Sequence, residues 1–334
     1  MGVNIADLVE PKETSLDALS GKIVAIDAYN TLYQFLSIIR QPDGTPLQDS
    51  AGRVTSHLSG LIYRTTHLIE KGIKSIFVFD GKPSELKAEV VKARSEHRME
   101  AHRKWEEAKV FAPEEALKYA KASARIDKTI IEDAQTLLSY LGIPCVHAKA
   151  EGEAQAAYMV QQGDADLVAS QDYDCLLFGA PVMVRNLTAP RRNARPELIA
   201  FNDLREKHGI TRQELVDLAI LIGTDFNPGI KGIGVKRALT LIKKHHSIEQ
   251  VLAESEIEPI EDYERVRAIF LHPDVNESYE LKWGTLDEGN VMEFLCAEHD
   301  FSEERVRKVL KKIAAAPQKT TVAQRSIESW LGPD

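Results

Sequence analysis

Three short apolar runs that each close on an aspartate constrain this chain more than any other feature. Ile23-Val-Ala-Ile26 runs into Asp27, Ile76-Phe-Val-Phe79 runs into Asp80, and Leu167-Val-Ala169 is followed by Asp172 and Asp174. Such runs have the length of buried strands and are far too short to span a bilayer. Residues 28–39 and 54–71 separate the first two, and Leu58, Leu61, Ile62, Leu68 and Ile69 recur there at helical spacing. Strand, helix, strand predicts parallel pairing through a right-handed crossover. The fold class is therefore α/β, with a parallel-rich central sheet and helices on both sides. In open parallel sheets, ligands bind outside the carboxyl ends of the strands, where these acids stand.

Further strands are expected at 144–147, 165–169, 182–186 and 198–201, and helices at 126–141 and 153–162. The pattern from 202 onward is helical. Residues 40–52, with Pro42, Gly44, Pro46 and Gly52, form a loop. Residues 82–128 differ: twelve Lys or Arg stand against nine Asp or Glu, with few large apolar side chains, which suits a solvated helical excursion. Residues 317–321 form a linker into a short tail. No internal repeat is present.

With 334 residues, 43% of them hydrophobic, the chain can bury a substantial core. Its net charge of −9 argues mildly against nucleic acid, but the charge is unevenly placed. Residues 228–248 carry Lys231, Lys236, Arg237, Lys243 and Lys244 and no acid. Cys145, Cys175 and Cys296 are far apart and form no CxxC pair, so no zinc site or disulfide framework is expected. Asp7 and Glu10 interrupt any signal-peptide stretch, and no transmembrane segment is expected. The expectation is a soluble intracellular protein with no membrane partner.

Asp27, Asp80, Asp172 and Asp174 gather other acids to them. Glu151 and Glu153 follow the strand at 144–147, with Glu151 in the turn before a helix and Glu153 in its first turn. Asp225 follows the apolar helix at 215–222. Any single strand-end Asp can be a helix N-cap. Seven converging carboxylates would repel one another and raise their pKa values unless cations joined them. Two Mg²⁺ ions would suit this set, with Mn²⁺ able to stand in, and two such ions can serve phosphodiester cleavage. An aspartyl-nucleophile phosphatase would want an acid where Tyr29 stands, and the chain has no P-loop. Gly232 and Gly234 flank Ile233 and lead into a helix, beside Lys231, Lys236 and Arg237. Such a turn presents backbone N–H groups to a phosphate.

These blocks (Asp27-Ala28, Phe79-Asp80-Gly81-Lys82-Pro83, Glu151-Gly152-Glu153-Ala154, Asp172-Tyr173-Asp174 and Gly223-Thr-Asp225 with Gly232-Ile-Gly234) resemble the flap endonucleases in order and spacing. The match covers nearly the whole chain, which looks like an archaeal member. The resemblance implies a PIN-like 5′ nuclease fold with a helical arch and a helix-turn-helix. It implies an N-terminal nuclease region at 1–98, the arch and linker at 99–124, an internal nuclease region with the helix-turn-helix at 125–258, a C-terminal helical region at 259–316, and the tail at 317–334.

On that resemblance, Asp80, Glu151 and Glu153 hold one Mg²⁺, with Asp27 reaching it through water, and Asp172, Asp174 and Asp225 hold the second. Lys87 and Arg94, seven apart on a predicted helix, draw the scissile phosphate onto the metals. Tyr33 stacks a base where duplex and flap divide, and Arg40, Thr55 and Arg64 lie near the DNA junction and the pocket for a 3′ flap. The glycine-rich turn holds downstream duplex, with a monovalent cation on its carbonyls. Gln324, Ile327, Trp330 and Leu331 resemble a sliding-clamp (PCNA) binding box, with Leu331 where a second aromatic is common. The implied activity is removal of 5′ flaps, with lesser 5′ exonuclease action, in lagging-strand maturation and base-excision repair. A monomer is expected, cytoplasmic or nucleoid-associated if archaeal. A ribonuclease of the wider carboxylate group and an inactive scaffold for branched DNA are the rival readings.

Overall fold

A computed structural model describes residues 2–189, 195–254 and 260–316. Among the described residues, seven strands form one sheet: β1 (Lys12–Glu13), β2 (Ile23–Asp27), β3 (Lys74–Phe79), β4 (Cys145–His147), β5 (Leu167–Ala169), β6 (Val182–Arg185) and β7 (Glu197–Ala200). Their order is β1-β7-β6-β5-β2-β3-β4. Pairing is parallel from β6 through β4, and β7 and β1 close one edge antiparallel. All six expected strands are present; β1 was not anticipated, because two exposed charged residues carry no strand pattern.

The helices of the first half are α1 (Ala28–Ile38), α2 (Ser56–Glu70), α3 (Ala88–Phe111), α4 (Pro113–Ala122), α5 (Lys128–Tyr140), α6 (Gly152–Gln161) and α7 (Asp174–Leu177). Those of the second half are α8 (Phe201–His208), α9 (Arg212–Ile222), α10 (Val235–His245), α11 (Ile248–Glu254), α12 (Tyr263–Leu271), α13 (Glu288–Met292) and α14 (Glu303–Ala315). No helix among the described residues is long and apolar enough to cross a membrane.

Strand side chains alternate between two cores, as the two-residue pleat requires. Val24, Ile26, Phe77 and Phe79 face α1, α2, α5 and α14. Ala25, Ile76, Val78 and Val168 face α6, α9 and α12. Covering both faces explains why β2 and β3 read as unbroken apolar runs. Acids stand at the carboxyl ends of these strands: Asp27 closes β2 and caps α1, accepting the Asn30 N–H at 3.0 Å.

Beyond the unanticipated β1, the structure differs from the sequence expectation in one place. Residues 273–287 are not helical. They form no regular element and bond elsewhere, with the Gly284 N–H on the Gly142 carbonyl and the Trp283 indole N–H on the Ser75 carbonyl. In the basic excursion α3 runs unbroken from Ala88 to Phe111, across position 98/99. Internal ion pairs such as Arg103 with Glu100 and Glu107 support it where packing does not.

The helical layer behind the glycine-rich turn is tied by one buried ion pair. Arg267 of α12 donates to both oxygens of Asp217 on α9, at 2.7 and 2.9 Å, and Asp217 is fully buried. Removing Arg267 leaves that carboxylate buried without its counter-charge. Arg267→Ala is expected to lower unfolding free energy by about 3 kcal/mol or more. Urea denaturation checks this, and a loss under about 1 kcal/mol would show that the pair is not what holds α12 to α9.

Candidate active site

The seven acids come from five places in the chain and meet at the carboxyl ends of β2, β3 and β5. Asp27 ends β2, and Asp80 follows β3. Glu151 is the N-cap of α6 and Glu153 lies in its first turn, as the two-residue spacing suggested. Asp172 and Asp174 lie between β5 and α7, and Asp225 sits in the turn after α9. Close approach needs small residues. The Gly152 N–H donates to Asp80 Oδ1 at 2.7 Å, and a Cβ at Gly152 would fall 2.6 Å from that oxygen. A Cβ at Gly2 would fall 2.4 Å from Asp174 Oδ1, which accepts the Val3 N–H at 2.6 Å.

Burial and mutual repulsion show in the titration of these acids. Asp27 is raised to about 8, first by burial and then by the charge of Asp80. Asp174 is raised to about 7, chiefly by burial, with Asp225 and Asp172 adding repulsion. Glu153 is pushed well above the usual carboxylate range by burial, then by Asp174, Asp27 and Asp172. Asp80 opens to the cleft but has protein around it, and is raised to about 6 by that enclosure and then by Glu151. Together these interactions link all seven carboxylates into one set.

Two cations enter the set. Lys87 lies at the start of α3 and Arg94 two turns along it, so both face the same side. Lys87 Nζ pairs with Glu151 and lies 4.0 Å from Asp225 Oδ2, while Arg94 Nη2 meets Asp225 Oδ1 at 2.5 Å. The Lys87 ammonium also sits 4.9 Å above the Phe226 ring. Its pKa is raised because Glu151 and the other acids outweigh the burial that pushes it down.

Neutral donors complete the centre, and the sequence reading missed them. Ser170 Oγ donates to Glu153 Oε1 at 2.8 Å and accepts the Asp172 N–H at 3.2 Å. Asn30 Nδ2 donates to Asp172 Oδ2 at 3.1 Å, and Cys175 Sγ lies 3.5 Å from Glu153 Oε1. Ser, Asn and Cys near a strand end are common, and only their position in space gives them a role. Among the described residues, no group of three or more His, Cys, Asp or Glu side chains is set close enough to grip an ion. The oxygens are instead shared among Lys87, Arg94, Asn30 and Ser170.

Residues 1–101 match the XPG N-terminal domain family, and residues 142–225 match the XPG I-region. A flap endonuclease 1 from Methanocella arvoryzae is 51% identical over 99% of this chain and all of its own. The flap endonuclease-1 structure from Methanococcus jannaschii superposes with a TM-score of 0.76 at 40% identity, covering 93% of this chain and 98% of that one. The catalytic core of Rad2 in complex with a DNA substrate shares the fold, with a TM-score of 0.72 at 23% identity over 92% of this chain and 96% of that one. The chain belongs to the flap endonuclease 1 family. It is accordingly a nuclease, a hydrolase that acts on DNA.

The residues matched to the family's DNA contacts are scattered around this centre. Tyr33 is 41% exposed on α1, so it is not the core residue its apolar neighbours could have made it. Arg40, half-buried, follows the same helix. Thr55 is 5% exposed at the N-cap of α2. Arg64 lines a cavity of about 460 Å³ together with His67, Lys71 and Arg195, and none of the seven carboxylates borders it. Lys231, Gly232, Gly234, Lys236 and Arg237 are exposed around the N-terminus of α10. Gly232 has φ +85°, which favours glycine, and a Cβ there or at Gly234 would meet nothing within 4 Å. The tail residues Gln324, Ile327, Trp330 and Leu331 lie outside the described residues.

Two predictions follow from the packing of the acids. Each raised acid binds its proton more tightly folded than unfolded. In metal-free protein the folded state therefore loses stability as pH rises from the ordinary carboxylate value, 3.8 for Asp27, to the folded value of about 8. Thermal unfolding in EDTA is expected to show a midpoint that falls between about pH 5 and about pH 8, with excess Mg²⁺ restoring most of the loss at the upper end. A midpoint that is flat or rising across that window contradicts this account of the acids. The second concerns Gly152→Ala, which forces Asp80 away and is expected to lower kcat about a hundredfold with little change in thermal midpoint. Unchanged single-turnover cleavage would show that the close approach is dispensable.

Proposed function

We propose that this chain cuts DNA carrying a 5′ flap, hydrolysing one phosphodiester just inside the duplex, with a lesser 5′ exonuclease action. The observation that carries the reading is the gathering of seven carboxylates with Lys87 and Arg94 at the foot of a helical arch. Lagging-strand maturation and base-excision repair are the settings that consume such an activity.

The donor set suits a hard divalent cation. All seven residues offer oxygen, burial and neighbouring carboxylates raise the pKa of four of them, and Lys87 and Arg94 bring positive charge there. Asp80, Glu151 and Glu153, with Asp27 through water, would hold one Mg²⁺. Asp172, Asp174 and Asp225 would hold the second, with Mn²⁺ an acceptable substitute. Bound there, the ions supply an acidified water for attack and a counter-charge for the leaving 3′ oxygen.

The chain's own residues do the rest. Lys87 and Arg94 now rest on Glu151 and Asp225. An arriving phosphate competes for them, which frees carboxylate oxygens for metal and brings the phosphate to the site. Ser170 and Asn30 hold Glu153 and Asp172 in orientation. Exposed Tyr33 offers its ring to a base at the junction, beside Arg40 and Arg64. The Gly232–Gly234 turn offers backbone N–H groups to a duplex phosphate, with a monovalent cation on its carbonyls, and Lys236 and Arg237 add sequence-independent attraction. The tail box Gln324, Ile327, Trp330 and Leu331 would deliver the enzyme, as a monomer, to a sliding clamp.

The test compares cleavage of labelled 5′-flap, plain duplex and single-stranded DNA in Mg²⁺, beside EDTA and Asp172→Ala controls. Flap-selective cutting that disappears in EDTA and falls by at least about a thousandfold in Asp172→Ala supports both activity and site. Flap binding with no cutting under any divalent metal would favour the scaffold. Preferential cutting of RNA would favour the ribonuclease.

A further inference from the structure

The arch buries one large side chain while leaving others exposed. Met99 is 67% exposed and Phe111 85%, yet Trp105, midway between them on α3, is only 7% exposed. Trp105 packs with Ala108, Ala116 and Ala120, the last two on α4. Its indole N–H donates to the Asp43 carbonyl at 3.1 Å, across to the loop that follows α1. Gly44 in that loop has φ +87°, and a Cβ there would lie 2.6 Å from Ala120 Cβ and 2.9 Å from Trp105 Nε1. The loop admits the arch because residue 44 has no side chain.

The loop is itself braced by hydrogen bonds. Arg40 donates to the Leu36 carbonyl and to the Gly44 carbonyl, both at 2.7 Å, and its guanidinium lies 5.8 Å from the Trp105 ring centre. Lys109 stands 4.3 Å from the same ring, and Ser37 reaches the Lys121 carbonyl at 3.4 Å. The loop is thus fixed to the far end of α1, whose near end is Asp27.

Arg94 and Trp105 are eleven residues apart on one unbroken helix. That is about three turns, which puts them on nearly the same face some 16 Å apart. One end of α3 is therefore seated in the carboxylates through Arg94 and the other on the Gly44 loop through Trp105. The path closes from Asp27 along α1 to Arg40 and Gly44, across Trp105, and back down α3 to Arg94 and Asp225.

We propose that Trp105 is a positioning residue for cleavage: its seat on the Gly44 loop clasps the arch to α1 and so sets where α3 presents Arg94 and Lys87. The proposal rests on the flap-cleavage reading above, since it assigns Trp105 an effect through Arg94 on that reaction. It makes the arch a lever with two fixed ends rather than a passive hoop. Loosening the Trp105 end lets α3 swing, which misplaces the basic pair without removing it.

The experiment is single-turnover flap cleavage by wild type, Trp105→Ala, Trp105→Phe, Gly44→Ala, Arg94→Ala and the Trp105→Ala/Arg94→Ala double variant. DNA affinity is measured in parallel. Trp105→Ala and Gly44→Ala, which attack the clasp from opposite sides, are expected to slow cleavage about tenfold or more while affinity stays within about twofold. Trp105→Phe, which keeps the ring and loses the N–H, recovers part of the rate. The double variant is expected to fall well short of the product of the two single losses, because the clasp acts in part through Arg94. The proposal is overturned if Trp105→Ala cuts like wild type, or if the double variant shows the full product of the two single losses. Wild type that cuts no flap would instead overturn the functional reading.

Discussion

The enclosure of seven mutually repelling carboxylates at the strand ends is the constraint around which this protein is organised. Asp27, Asp80, Glu153 and Asp174 hold their protons at pH values where free acids have lost them, because burial and their neighbours both disfavour the charge. A fold tolerates such a set only where something else in the molecule makes the acids stay. Here the two cores on either side of β2 and β3 do so. The strands are held by apolar packing along their length and carry these acids at their carboxyl ends.

That placement leaves a deficit of positive charge, and the arch is built to answer it in part. Lys87 and Arg94 arrive from outside the sheet on α3 and pair with Glu151 and Asp225. Such pairs are exchangeable, because a phosphate is as good a partner for guanidinium or ammonium as a carboxylate. On the proposed function, the cations leave the acids for a substrate in the same movement that opens carboxylate oxygens to metal. The clasp at Trp105 and Gly44 gives this exchange a defined starting geometry, since it fixes the far end of the helix that carries both cations.

Much of this was legible before the fold was known. The acids at the ends of apolar runs, the Glu151-Gly152-Glu153 spacing and the Gly232-Ile-Gly234 turn are local patterns, and each sits where its local chemistry placed it. Ser170, Asn30 and Cys175 were not legible, because a polar residue near a strand end has no sequence mark until its partner is known. Trp105 was hidden for a related reason: one aromatic in a charged helix reads as solvated, and its seat is a glycine sixty-one positions earlier. Residues 273–287 read as helix and form no regular element because long-range bonds to Gly142 and Ser75 outweigh local propensity.

The sequence by itself determined the strand runs, the charged helical excursion, and the seven acids that stand where the strands and the apolar helix end. Period, apolarity and spacing are properties of neighbours in the chain, and neighbours are what a sequence displays. Only the tertiary structure decided which cation meets which acid, that Thr55 is buried while Tyr33 is open, and that α3 is anchored at both ends. Those facts depend on pairs far apart in the chain, such as Arg94 with Asp225 and Trp105 with Gly44. The energy that selects them comes from burying many side chains at once, and no local stretch carries it.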